Sequence, residues 1–271
     1  MQIQKPSYLS FCLYFCKYKK QDTHQMKLII KTISICALLI IGFNSVTAQT
    51  NYKPIIYNAY INGDMSKWAQ IIATIEKQNP QSTDAKLELI SYYYGYTAFL
   101  IGTKNYETAA KYLERGDKHI DEILKTSPKN ATAHAFKGSF IGFRIGLSKF
   151  KAIALGAESN RHVKLALEID PQNIQGTVDL ANSLYHTPKL FGGDKKEALK
   201  LFRKAMLLVE KSGHTHNNWF YLNILTLTAQ TYESLEQYQQ SKAQYEKILR
   251  FEPDYKWVKN ELYPKKKKKM K

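Results

Sequence analysis

Apolar residues along this chain recur at spacings of three and four, and no segment sustains the alternation of a half-buried strand. Prolines punctuate that pattern. Asn79-Pro80, Ser127-Pro128, Asp170-Pro171 and Glu252-Pro253 each close a helical run, at separations of 48, 43 and 82 residues, the last close to two units of 41. A proline lacks the amide hydrogen that continues a helix, so each site predicts a stop and a turn into the next element. The pattern predicts an all-α chain built from recurring helix pairs.

The last unit, YQQSKAQYEKILRFEP, shows the geometry best. Tyr238, Ser241, Tyr245 and Ile248 share one helix face, and Pro253 ends the run. The small Ser241 lets the preceding helix approach, and that helix carries Leu225, Ala229 and Tyr232. The same face recurs as Tyr106, Ala109 and Leu113, as Val163 and Ala166 before Pro171, and as Ala198, Phe202 and Ala205. Upstream partner helices carry Thr97 after Tyr93 and Tyr96, Gly138 after His134, and Ala181 after Thr177 and Leu180.

These residues resemble the tetratricopeptide repeat family, whose unit is a helix pair of about 34 residues. The resemblance covers most of 53–262, is strong in 222–255, and is weak in 53–80, where Trp68 replaces the small residue. It is irregular between Gly142 and Ser159, and the longer units imply inserted loops. It implies an α-solenoid of about five antiparallel pairs, with a short terminal helix near 254–262 and a concave face that binds a partner. A narrower set looks like exported bacterial repeat proteins and the periplasmic T component of substrate-binding-protein-dependent (TRAP) transporters. It comprises His134-Ala135, Ile141 to Arg144, Asn160-Arg161, Pro188, Phe191 to Asp194, Ala198 and Trp257 to Lys259. That resemblance implies a small ligand or a protein partner in the periplasm.

The amino end changes the boundaries. From Met26, Lys27 and Lys31 form a basic region, Ile33 to Phe43 an apolar run of eleven, and Val46-Thr47-Ala48 a small-residue cleavage site. This is the layout of a secretory signal peptide, cut after Ala48, and the run is too short for the ~20 residues of a membrane span. Residues 1–25 read as a mis-assigned upstream extension, 26–48 as the signal, 49–262 as the repeat domain and 263–271 as a disordered lysine-rich tail. The expected location is periplasmic or secreted.

Cys12, Cys16 and Cys36 all lie in the removed segment, which excludes disulfides and thiolate chemistry from the processed chain. The net charge of +17 also shrinks. Residues 1–48 hold six Lys and one Asp, leaving 34 basic and 22 acidic residues, a net of +12. Six of those positive charges are Lys265 to Lys269 and Lys271. The tail reads as solvated, and no nucleic-acid partner is expected of an exported chain.

Candidate chemistry is sparse. HTPKLFGGDKKEALKLF (186–202) has a Gly-Gly pair before lysines, but not the G-x-x-x-x-G-K-[ST] spacing of a phosphate loop after a strand. Its residues fit a turn: Pro188 blocks the helix, Gly192 and Gly193 open the backbone, Asp194 caps the next helix and Glu197 completes a capping box. Pro188, Leu190 and Phe191 are left as a lip that could rim a binding site. His214-Thr215-His216 lacks a third ligand, and no nucleophile or dinucleotide motif is present. The chain therefore reads as non-enzymatic, with no catalytic residue, no metal and no cofactor.

By repeat register, the inward surface carries Tyr94 and Ala98, Thr132 and Ser139, Gln175, Asn182 and Tyr185, then Asn223, Gln230 and Glu233. Arg144 and Arg161 are the cations suited to a carboxylate unless each pairs with an acid inside the array. The binding candidates are thus Tyr94, Arg144, Asn182, Tyr185, Phe191, Asn223 and Gln230. The expected function is an exported protein–protein interaction scaffold that docks a protein or peptide in its concave groove. The alternative is a component that binds a small polar ligand for a transport system, with the oligomeric state left open.

Overall fold

A computed structural model describes residues 50–148 and 152–267. The upstream extension, the signal peptide with its cut after Ala48, the three cysteines and Lys268 to Lys271 lie outside the described residues. Among the described residues there are eleven α-helices and no strand. Ten of the helices form five antiparallel pairs: α1 (Lys53–Asn62) with α2 (Met65–Gln78), α3 (Thr83–Gly102) with α4 (Tyr106–Thr126), α5 (Ala131–Leu147) with α6 (Ala152–Ile169), α7 (Ile174–His186) with α8 (Lys195–Ser212), and α9 (Trp219–Ser234) with α10 (Tyr238–Phe251). A short 3-10 turn, Lys189–Phe191, precedes α8. A π-helical turn, Trp257–Leu262, leads into α11 (Tyr263–Lys267). The chain is therefore an all-α, solenoid-like stack of helix pairs. Helical structure runs on through Lys267, where the sequence predicts a disordered tail from 263, and the Tyr263 hydroxyl donates to Glu246 at 2.8 Å.

Local chemistry sets the boundaries. Asp64, Ser82, Asn105, Asn130, Asn173, Asp194 and Asn218 each accept an amide hydrogen from the first turn of the helix that follows. Each such cap stabilises its helix by about 1 kcal/mol. Helices α2, α4, α6 and α10 each end two residues before a proline: Pro80, Pro128, Pro171 and Pro253.

Pairs pack through small residues set against large ones. Ala109, Ala166, Ala181, Ala198, Ala205, Ala229, Thr97 and Ser241 are fully buried, with Phe202, Tyr245 and Ile248 beside them. The Ser241 hydroxyl donates to the Ala229 carbonyl at 2.9 Å, the close approach of α9 and α10 that the pattern predicts. Trp68, the misfit of the first unit, is fully buried and donates its indole N–H to the Tyr92 carbonyl at 3.0 Å. Its ring meets Trp219 of α9 at 5.0 Å, and Tyr60 of α1 meets Trp219 at 5.7 Å and Tyr255 at 5.2 Å. The first pair thus packs against the last, with α1 on α9. Tyr57 reinforces this closure by donating to the Glu252 carboxylate at 2.7 Å.

Candidate functional site

That closure decides what the inner face offers. Tyr94 on α3 is only 5% exposed. Its ring packs on Phe136 and Phe143 of α5, at 6.0 and 5.2 Å, and on Phe220 of α9 at 6.1 Å. Asn182 of α7 donates its amide to the Tyr94 hydroxyl at 3.4 Å. Burial holds the Tyr94 phenol well above its ordinary pKa. Register places Tyr94 and Asn182 on an open groove, but the curvature of the stack folds them inside, where they satisfy each other.

Beside them lies an acidic side chain that belongs to no sequence motif. Asp179 is buried on α7, its two carboxylate oxygens accepting from the Gln175 side-chain amide at 3.0 Å. Burial pushes its carboxyl up to about 7, against the opposing hydrogen bonds of Ser139 and Gln175. Position Asp179 falls one turn from Gln175 and from Ser183, so the helical period alone places it on the Gln175 face.

Arg144 takes the structural role. It pairs with Asp117 of α4, whose other oxygen meets Lys137 at 3.3 Å, and Lys137 reaches Asp121 at 2.8 Å. Arg161 instead donates to His162 Nε2 at 3.1 Å. His162 Nδ1 lies 3.0 Å from His134 Nδ1, and His134 Nε2 lies 2.9 Å from the Pro128 carbonyl. The carbonyl only accepts and the guanidinium only donates, which settles the tautomers. His134 carries its proton on Nε2, and His162 carries its own on Nδ1 and donates it to His134. Burial first, and Arg161 second, push the His162 imidazole down to about 4. Both rings are buried and form a hydrogen-bonded strut between α5 and α6.

Asn223 accepts from the Tyr60 hydroxyl at 3.5 Å, and Gln230 is half-buried two turns further along α9. The structure therefore brings Tyr94 and Asn182 into contact, places Asn223 and Gln230 along one helix face, and sets Arg144 in a separate ion cluster.

The loop between α7 and α8 is different. Its backbone is locked: the Gly193 amide donates to the Pro188 carbonyl at 3.2 Å and the Asp194 amide to Leu184 at 3.0 Å. Gly192 sits at φ 91°, and a Cβ on Gly193 would lie 1.7 Å from the Thr187 carbonyl oxygen. The Asp194 carboxylate accepts from the amides of Lys196 and Glu197 at 2.8 and 3.0 Å. It thereby occupies the donors that a phosphate would need. Glu197 does not close the capping box; it pairs with Lys200 at 2.7 Å.

This rigid turn holds Leu190 87% and Phe191 75% exposed. Tyr185 stands at its base, half-buried, with its ring edge-on to His186 at 4.9 Å and the Lys195 ammonium 5.4 Å over its face. Exposed Lys189 lies beside the tip. An apolar pair, an aromatic ring, an imidazole and two ammonium groups thus share one short segment.

No known family's sequence profile matches the chain, and no curated protein matches it in sequence. Among solved structures it is similar to the HusA haemophore from Porphyromonas gingivalis, with a TM-score of 0.55 at 18% identity over 70% of this chain and 96% of that one. That likeness is one of fold.

Proposed function

We propose that this chain is an exported, non-enzymatic binding protein whose cargo is haem or a similar flat, apolar molecule with acidic groups. The observation that carries the reading is the Leu190–Phe191 tip, held out to solvent on a locked backbone. Exposed large apolar side chains that adjoin one another mark interaction sites. The chemistry around them suits such a cargo: Leu190 and Phe191 cover a planar face, Tyr185 adds a ring, and Lys189 and Lys195 meet carboxylates. His186 adds an imidazole, a side chain that ligates metal ions through a neutral ring nitrogen. The fold likeness to a haemophore supports the same reading. The haem is cargo here and supplies no chemistry to a reaction.

The second reading is a protein or peptide partner held by a tetratricopeptide-like stack. The half-buried amides Asn223 and Gln230, two turns apart on α9, favour it because amides suit a peptide backbone. Titration of the processed chain with haem, followed by absorbance and by thermal shift, tests the leading reading. A saturable spectral change with a rise in Tm supports it. No saturable change, together with recovery of a specific protein partner, would sink it in favour of the second.

A further inference from the structure

Helix α8 has one face that the core does not use. Ala198, Leu199, Phe202, Ala205 and Val209 are buried. Lys196, Lys200, Arg203, Leu207 and Lys211 are all exposed, and at 100° per residue they fall within about 100° of arc on the opposite side. Lys200, Arg203, Lys204, Leu207, Leu208 and Lys211 line a shallow trough along this face. Leu207 lies 57% exposed among the cations. Among the described residues neither Arg203 nor Lys211 has an acidic partner, while Lys200 pairs with Glu197 and Lys204 donates to the Pro171 carbonyl at 2.9 Å.

We infer that this face of α8 docks on an anionic lipid bilayer. The charge is complementary to acidic phospholipid headgroups, and the aliphatic stems of the lysines surround an apolar centre. That combination suits the headgroup–acyl boundary, where cations reach outward and an apolar side chain sinks. An acidic peptide would be met by the charges but would leave Leu207 exposed. The face belongs to a helix whose packing is complete, so docking needs no rearrangement of the stack. The inference is independent of the cargo reading, because none of its residues lies in the 185–195 segment.

Flotation of the processed chain with phosphatidylcholine vesicles, with and without phosphatidylglycerol, tests it. Binding is expected only to the anionic vesicles and weakens as salt rises. The double variant Arg203→Glu/Lys211→Glu partitions roughly tenfold less or worse, since each cation contributes on this scale at an anionic surface. Leu207→Asp also weakens binding. All these residues are exposed, and an unchanged Tm checks the fold of each variant. A chain with its six tail lysines changed to Gln retains binding. The inference is overturned by absence of binding, by undiminished binding of the double variant, or by complete loss in the tail variant. Capture of an acidic protein without any vesicle binding overturns it as well.

Discussion

Asp179→Asn removes an interior carboxylate whose titration the fold strongly perturbs upward. In the folded chain burial pushes that carboxyl up to about 7, from 3.8 in the ordinary state. The folded state thus favours the protonated form, and the unfolded chain gives up its proton first. Stability contributed by this group is complete below pH 3.8 and is lost as pH rises from there to 7. At 1.36 kcal/mol per pKa unit, the stability lost relative to low pH is about 2 kcal/mol at pH 5, where only the unfolded chain has ionised, and it grows by a further ~3 kcal/mol over the two units up to pH 7. Asn has nearly the same shape and never ionises. Its baseline effect on packing is the same at both pH values and cancels in the comparison. The stability difference between variant and parent should therefore grow in favour of Asn by about 3 kcal/mol between pH 5 and pH 8, or roughly 6–12 °C in Tm for a fold of this size. Thermal unfolding followed by circular dichroism at both pH values measures it. Parallel Tm curves for the two proteins would refute the assignment of a raised carboxyl to this site.

Three further outcomes follow from the packing and the loop. His162 is held down at about 4 against 6.5, so its contribution is present above pH 6.5 and lost as pH falls to 4; His162→Gln should flatten the acid limb of the stability profile. Gly193→Ala drives a methyl into the Thr187 carbonyl and should lower Tm by several degrees, corresponding to a loss of at least ~2 kcal/mol, whereas Leu190→Asp in the same loop should leave Tm nearly unchanged. Trp68→Ala should cost about 3–5 kcal/mol in urea unfolding, because it empties the contact between the first and last pairs and removes the indole hydrogen bond to the Tyr92 carbonyl.

The helix pairs were legible because their signals are local. Each proline and each Asn, Asp or Ser cap acts on its own helix end, and Ser241 against Ala229 is a contact between consecutive helices. The start of α8 was legible for the same reason, down to Asp194 as its cap. Trp68 was visible only as an exception to the repeat. Its partner Trp219 lies far along the chain, and no period in the sequence encodes how tightly successive pairs curve. The same blindness explains Tyr94 and Asn182. Register places them on the inner face, but only the curvature decides whether that face is open, and it brings Phe143 and Phe220 onto Tyr94. The Arg144–Asp117 pair and the two stacked histidines are likewise contacts between helices, set by rotation about each axis. The Leu190–Phe191 tip was legible as an inserted lip, though its degree of exposure required the backbone lock at Gly193.

The most direct test of the central claim is haem affinity in the Leu190→Asp/Phe191→Asp variant. Covering two large apolar side chains contributes about 1.5–3 kcal/mol each, so removing both should weaken binding by at least roughly a hundredfold. That loss is expected with Tm within a degree or two of the parent, since neither exposed side chain supports the fold. Unchanged haem affinity in a folded variant would contradict it and place the cargo elsewhere on the stack.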